Sequence, residues 1–574
     1  MTAAPASIHL LLAFNPSNQL AVREADGKFL PAFTGEPTAA EAAVTACFGA
    51  HTPPTEYYSF ETNRGRHRVF FTQVNGEPRD PAVIFRTLEQ LEHRRDRLAP
   101  LLAAALDRIE PHLIEIPYLH LGENDYIYKF RVEKDRNRAI YEQDEAARGL
   151  YQSRLCEAIK ALGRTNERTA GAPALLDFGA VRYLIPSHFG FCLGVKNAIE
   201  RAYESLAENP GRRVFMLSEL IHNPFVNEDL LKRGLRYLQT DKGVPFTTAG
   251  RPARPGETDL LWNTLTGDDV VIIPAFGATD EDKVRLVRKG IRVAQYDATC
   301  MLVEKVWKAA RAYGRAGYTV IIHGKSEHEE TKATFSNTRR YAPSLIIRSM
   351  EEAKVLGDYI AAPGEAGRAA ILERFAGLHT PGFDPARHLE RIAVVNQTTL
   401  LMNETAAIID YFKEAYAVRH GEAAAVERVG GAGRKDTLCY ATQVNQDALQ
   451  RALTMPIDTA FIIGGKNSSN TYQLYRVCEQ RLGKRTFFIQ SEQNIRSREE
   501  IEHYVFPATG PGRGGRTEVH PLWPEGCDET RTVLITGGAS CPDGLIQQVI
   551  TRINSLFPAG RLRPIEAVLA DLRT

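Results

Sequence analysis

Three cysteines share one local setting. Cys192 lies in "HFGFCLGVKNAIERA", where an apolar extended run gives way to a helical pattern. Cys300 follows "IRVAQYDAT" and precedes "MLVEKVWKAARAYGRAG"; Cys439 follows "RKDTL" and precedes "YATQVNQDALQRAL". Each is expected where a strand meets a helix. A helix start carries roughly half an elementary positive charge, which favours thiolate over thiol. The spacing allows about one small α/β unit per cysteine, and three units around a centre would bring the three helix starts together. Converging thiolates suit a soft metal or an iron–sulfur cluster. A cubane 4Fe–4S cluster takes four ligands, so three cysteines would leave one iron open as a Lewis acid for a substrate oxygen. Structural zinc fits less well, because its ligands usually come as C-x-x-C pairs and this sequence has none. Ordinary packing is the other reading, since free cysteine behaves as a small buried hydrophobe. Cys47, Cys156, Cys478, Cys527 and Cys541 lack the joint and read as packing or surface residues, although Cys541 sits in a candidate site loop.

The segments between the cysteines are rich in groups that hold anions or protons. "IIGGKNSSNTYQL" places Ser468, Ser469 and Asn470 between a strand and a helix, and "LITGGASCPDGLIQQV" places Ser540 in the same setting. Backbone N–H groups at a helix start, helped by Ser and Asn donors, form a cradle suited to phosphate. Neither loop is a Walker or G-x-G-x-x-G motif, and helix capping is the alternative reading. "IIHGKSEHEETKATF" carries His323, His328, Glu329 and Glu330 after an apolar strand, at the end where α/β sheets place ligands. A carboxylic acid there could deliver a proton, with His222 or His328 orienting the ligand; a solvated charged face is the alternative. "VVNQTTLLMNET" adds Gln397, Thr398 and Thr399 at another strand end.

The elements that must position these groups follow from the apolar pattern. From about residue 181 onward, short apolar runs such as "VRYLIPS", "RVFMLSELI", "DDVVIIPAF", "IRVAQYDA", "YTVIIHG", "RIAVVNQ", "TAFIIGGK", "RTFFIQ" and "TVLITGG" mostly alternate with helical patterns. That is the signature of α/β layers with buried parallel strands. Residues 1–115 read as a small α/β accessory domain. Its strands are "IHLLLAF", "QLAVRE", "EYYSFE" and "HRVFFTQV"; its helices are "TAAEAAVTACF" and one long helix over "PAVIFRTLEQLEHRRDRLAPLLAAALDRIEP". The order resembles a Nudix-type fold without the acidic metal-binding helix. No chemistry is assigned to it, and a structural or partner-docking role is expected. Residues 116–180 form a charged helical connector. The Gly- and Pro-rich stretches 362–390 and 506–530 are expected to be surface insertions.

The chain has 574 residues, 43% hydrophobic and 25% charged, with a formal net charge of +1. That composition suits a multidomain globular protein. The balanced charge gives no global case for binding nucleic acid or a membrane. The N-terminus has no basic leader and only a short apolar run, so no signal peptide or membrane span is expected, and a reducing cytoplasm is the default location.

Taken together, "GFCLGVKNAIERA", "IHNPFV", "PAFGA", "YDATCMLVEKV", "HGKSEHEET", "NQTTL", "LCYATQ", "GGKNSSN" and "GGASCPD" resemble the 4-hydroxy-3-methylbut-2-enyl diphosphate reductase family, in order, from about 181 to about 556. "PAFGA", the "HEET" stretch and "CYATQ" are most similar to its plant and cyanobacterial branch, as is the charged connector. The resemblance implies a three-lobed α/β core with pseudo-threefold symmetry around a central 4Fe–4S cluster, one per chain. The core would span 181–574, with lobes near 181–299, 300–438 and 439–560. It implies that Cys192, Cys300 and Cys439 hold the cluster and that Glu330 delivers protons, with His328 beside it. By the same resemblance His222, Thr398, Ser468, Asn470 and Ser540 bind substrate, and Ser469 joins them. Many bacterial members carry histidine where "PAFGA" places Phe276, so that substrate-binding histidine has no counterpart here.

The activity implied is reductive dehydroxylation at the end of the methylerythritol phosphate route. Two electrons and two protons would cleave the allylic C–O bond, releasing water and giving isopentenyl or dimethylallyl diphosphate. A ferredoxin or flavodoxin would donate the electrons. The alternative is a cluster-binding sensor or carrier of the same fold without turnover, against which stand the intact "HEE", "NQTT" and "NSSN" stretches.

Overall fold

The computed structural model describes residues 8–63, 65–116, 137–164, 169–430, 437, 439–508, 510–512, 514–523 and 530–572. The alternation read from sequence resolves into three sheets, each led by short apolar runs. The first orders Arg236–Tyr237, Val214–Met216 and Val270–Ile272, all parallel. The second orders Ser344–Ile347, Thr319–His323, Ile392–Asn396 and Val429–Gly430, again all parallel. The third orders Thr486–Ile489, Thr459–Ile463, Arg531–Gly537, Val181–Ile185 and Ala174–Asp177, with only the last pair antiparallel. Every residue of Val214–Met216, Val270–Ile272, Thr319–His323, Ile392–Asn396 and Thr459–Ile463 is buried. Continuous burial is what parallel strands covered on both faces require.

The three cysteines lie where the chain passes from one sheet to the next. Val181–Ile185 belongs to the third sheet, yet the helix after Cys192, Leu193–Glu208, packs Ala198, Ile199, Ala202 and Tyr203 onto the first. Ile273 and Asp297 extend the first sheet through a parallel bridge, and the helix after Cys300, Met301–Arg315, packs Val306 and Ala310 onto the second. The helix after Cys439, Tyr440–Leu453, packs Leu449, Ala452 and Leu453 onto the third. The strand expected to open the lobe 181–299 thus lies in the third sheet, because its hydrogen-bonding edge is taken by Arg531–Gly537.

Several expected elements come out differently, each for a local reason. The long helix expected over 81–111 is a strand, Val83–Arg86, and two helices, Leu88–Glu92 and Pro100–Ile109, with a 3-10 turn between. Thr87 and Gln90 form a capping box that starts the first helix, and Pro100 cannot sit inside a continuous one. "IRVAQYDA" is a 3-10 turn at Ala294–Tyr296 rather than a strand; Asp297 then accepts from Thr299 N at 2.9 Å and bends the chain toward Cys300. The stretch 362–390 is no mere surface insertion. Its helix Glu365–Arg374 and the turns after it bury Ile371, Phe375, Phe383 and Leu389 in the second unit. In the stretch 506–530, Arg516–His520 pairs with Ile501–Val505, and Leu522 is buried in the third unit. Residues 524–529, Cys527 included, lie outside the described residues. The connector is described over 137–164 and 169–180, where it forms helices Glu145–Tyr151 and Arg154–Gly163 and the strand Ala174–Asp177. It is more than a tether: Tyr141, Ala147 and Tyr151 join the first unit's apolar cluster, and Leu155, Cys156 and Ile159 join the third's. Among the described residues, no helix is long and apolar enough to cross a membrane.

The N-terminal region forms a mixed sheet ordered Lys28–Pro31, Leu20–Ala25, Ile8–Phe14, Gly65–Gln73 and Thr55–Thr62. It shares one continuous apolar cluster with the first unit, in which Leu102, Ile109 and Leu113 meet Trp262, Leu286 and Ile291. Polar bonds flank the contact: Asn18 Nδ2 donates to Ile291 O at 2.6 Å, and Lys289 pairs with Glu89 at 2.8 Å. Ile109→Ala is expected to cost about 2–5 kcal/mol and to shift a single calorimetric transition that includes the first unit. Two separate transitions, only the smaller one shifted, would show that the parts unfold independently.

Candidate active site

Cys192, Cys300 and Cys439 are the N-cap residues of their three helices. All three line one cavity of about 80 Å³, together with Glu330, Thr398 and Ser540. Close approach sets one neighbour: a Cβ at Gly194 would lie 2.5 Å from Cys300 Sγ. Burial pushes all three thiols up, Cys439 to about 12. The Cys192 and Cys439 thiolates raise Cys300 further. Backbone N–H groups of each helix start act in the opposite sense and are outweighed by burial. Among the described residues, no three His, Cys, Asp or Glu side chains converge on a point that would hold a single metal ion. A cubane makes a different demand, one thiolate on each of three irons. Three thiols at separate helix starts around one cavity, close enough to oppose each other's ionisation, fit that demand.

Glu330 is fully buried in the first turn of Glu329–Thr338. Its carboxylate accepts from Thr398 N at 2.6 Å and from Thr398 Oγ1 at 3.0 Å. Burial raises its pKa to about 7 against the pull of those two donors. It is therefore poised to hold a proton near neutral pH.

The preceding residue has a separate partner, one that residue types alone did not reveal. Glu329 accepts from Ser218 Oγ, and its other oxygen lies 3.1 Å from His222 Nε2. Burial disfavours a charged His222, but the carboxylates of Glu329, Glu219 and Asp241 together outweigh it and lift the histidine's pKa. Phe276 stacks on His222 with centroids 4.2 Å apart, so the ring at the missing-histidine position serves as a platform. His328 stands edge-on to both rings and is not among the residues lining the cavity. Burial drives it well below its ordinary pKa. Its Nδ1 accepts from Glu330 N at 3.2 Å, which leaves the proton on Nε2, a buried donor with no partner among the described residues. His323 bonds Thr405 at 2.8 Å inside the second unit and is a core histidine.

The two Ser/Asn loops meet at the cavity. Ser468 caps Ser469–Leu482 through Thr471 N, so the capping reading holds for it. Its hydroxyl also lies 3.3 Å from Ser540 Oγ, which in turn donates to His222 O. Asn470 Oδ1 accepts from Ala539 N at 2.7 Å. Asn470 Nδ2 and Ser469 Oγ remain buried with no partner among the described residues. Unmatched buried donors carry a cost of about 1–3 kcal/mol each, and an anion in the cavity would remove it.

A family profile described as "LytB protein" matches residues 184–554. The chain belongs to the LytB family. It is 34% identical over 433 residues to the 4-hydroxy-3-methylbut-2-enyl diphosphate reductase of a Synechococcus strain, covering 75% of this chain and 96% of that one. It is 36% identical over 411 residues to the enzyme of the same name from Gloeobacter violaceus, covering 71% and 89%. A solved structure of (E)-4-hydroxy-3-methyl-but-2-enyl diphosphate reductase, 27% identical, covers 65% of this chain and 98% of its own, with a TM-score of 0.37. The LytB match begins after the N-terminal domain and the connector helices.

Thr398→Val removes one of the two donors that stabilise the Glu330 carboxylate. The Glu330 pKa is expected to rise above about 7. The infrared carbonyl band of the protonated acid, followed against pH, measures this; an unchanged or lower midpoint would contradict the assigned contact.

Proposed function

We propose that this chain is a 4-hydroxy-3-methylbut-2-enyl diphosphate reductase, an oxidoreductase that removes the allylic hydroxyl as water and yields isopentenyl and dimethylallyl diphosphate. The observation that carries the reading is one cavity lined by three helix-capping cysteines, a buried acid poised near neutral pH and two phosphate-type loops. A 4Fe–4S cluster would be held by Cys192, Cys300 and Cys439, and would supply a Lewis-acid iron and relay, one at a time, the two electrons that the external donor provides. Ser468, Ser469, Asn470 and Ser540 bind the diphosphate, with His222 supplying positive charge beside them. Thr398 orients the Glu330 carboxyl and the substrate hydroxyl. Glu330 holds a proton at its carboxyl oxygen for transfer as the C–O bond breaks, and His328 caps the start of its helix through Nδ1. Burial of these groups excludes bulk water, which strengthens each polar contact. One cluster per chain, a ferredoxin or flavodoxin as electron donor and a cytoplasmic location are parts of the same proposal.

The test is oxygen-free purification followed by oxidation of a reduced viologen dye on addition of the hydroxymethylbutenyl diphosphate. Substrate-dependent oxidation is expected. It should fall as pH rises through about 7, where Glu330 loses its proton. Glu330→Gln should lower kcat by about a hundredfold or more and abolish that pH limb. A full iron and sulfide complement with no dye oxidation would overturn the reading and leave a cluster carrier in its place.

A further inference from the structure

The helix Arg154–Gly163 and its C-cap Arg164 lie ahead of the LytB match, yet they contact the segments beside Cys192 and Ser540. Lys160 Nζ is 2.5 Å from each carboxylate oxygen of Asp543, and the two side chains are 11% and 12% exposed. A buried ion pair is a weak source of net stability, because desolvating both charges offsets their attraction. Its position points to another use. Asp543 opens the helix Asp543–Asn554, where the helix dipole favours a carboxylate, and it lies three residues beyond Ser540. The same carboxylate abuts the turn that leads to Cys192: a Cβ at Gly190 would sit 2.7 Å from Asp543 Oδ1. Gly190 has φ +68°, which only glycine adopts freely.

Backbone bonds join these two loops directly. Gly190 N donates to Gly537 O at 3.0 Å, and Cys192 N donates to Ala539 O at 3.2 Å. The same helix grips the other side of the joint. Lys160 Nζ lies 4.8 Å from the Phe189 ring centroid, and Arg164 donates to Ser187 O and Phe189 O at 3.1 and 3.0 Å. Ser153 adds a bond to Gln547 at 2.5 Å. Neither Lys160 nor Asp543 is among the residues lining the cavity.

We infer that Lys160 and Asp543 are a positioning pair that locks the Cys192 loop to the Ser540 loop, so that cluster placement and diphosphate binding are set together. The inference rests on the reductase reading above. It gives the segment outside the LytB match a defined task in the reaction.

The test is the double variant Lys160→Met with Asp543→Asn, which removes both charges and leaves no unpaired one. Thermal unfolding and iron content should stay near the parent values. KM for the hydroxymethylbutenyl diphosphate should rise about tenfold, with a smaller change in kcat. The paramagnetic resonance spectrum of the reduced cluster, with and without that substrate, should differ from the parent's. Should the double variant fail to fold, Lys160→Gln, which keeps a neutral donor to Asp543, carries the same two readouts. A folded variant with parental KM and parental spectrum would overturn the inference. A parent enzyme without turnover would instead strike the reductase reading.

Discussion

Everything in the catalytic core depends on one pairing, that of Val181–Ile185 with Arg531–Gly537. It joins the start of the core to its end and closes three sheets into a ring. Each unit then hands its chain to the next at a cysteine. The arrangement explains why the three thiols share one cavity: each is the hinge residue of a crossover, and the crossovers converge where the ring closes. A helix beginning at each crossover aims its N-terminal N–H groups at the same place. The fold therefore builds a site of concentrated positive potential before any particular side chain is chosen.

The side chains around that site are tuned mainly by burial. Glu330 and Glu329 are neighbours in sequence, the first fully buried and the second's side chain 11% exposed, yet they differ in partner. Glu330 has neutral donors from Thr398, and its pKa climbs to about 7. Burial raises the Glu329 pKa as well, but His222 and Ser218 oppose that rise, and the imidazole's own pKa is lifted in turn. Two adjacent carboxylates thus divide into a proton reservoir and a charge partner, a separation of roles set by environment rather than residue type. His328 has a third part: its Nδ1 accepts from the Glu330 backbone N–H and caps the helix that carries both carboxylates.

The chemistry was largely legible in the sequence and the connections were not. Cysteine at a strand–helix joint is a local signal, and so are the Ser/Asn loops and the "HEE" run; the structure brings Cys192, Cys300, Cys439, Glu330, Thr398, Ser468, Ser469, Asn470, Ser540 and His222 to one cavity. What stayed hidden depends on contacts distant in sequence. Val181–Ile185 reads as a strand, but nothing local says which sheet it joins. Lys160 is one charge among many in a charged segment, and its partner lies 383 positions away. Glu329 looked equivalent to Glu330 until Ser218 and His222 were placed beside it. The elements misread from pattern failed for short-range reasons: Pro100 and a capping box divided the expected long helix, and the Asp297 turn interrupted an expected strand.

Ring closure also sets when the protein becomes competent during its own synthesis. The strand Val181–Ile185 emerges roughly 350 residues before the strand it pairs with. At about 5–20 residues per second, that interval is on the order of 20–70 s. Throughout it Cys192 has no Ala539 carbonyl to hold its backbone, and the Ser540 loop does not yet exist. The N-terminal sheet waits less, since its apolar partners around Trp262 and Ile291 arrive earlier. The complete cavity, with the Ser540 loop beside the three cysteines, is thus a property of the finished chain.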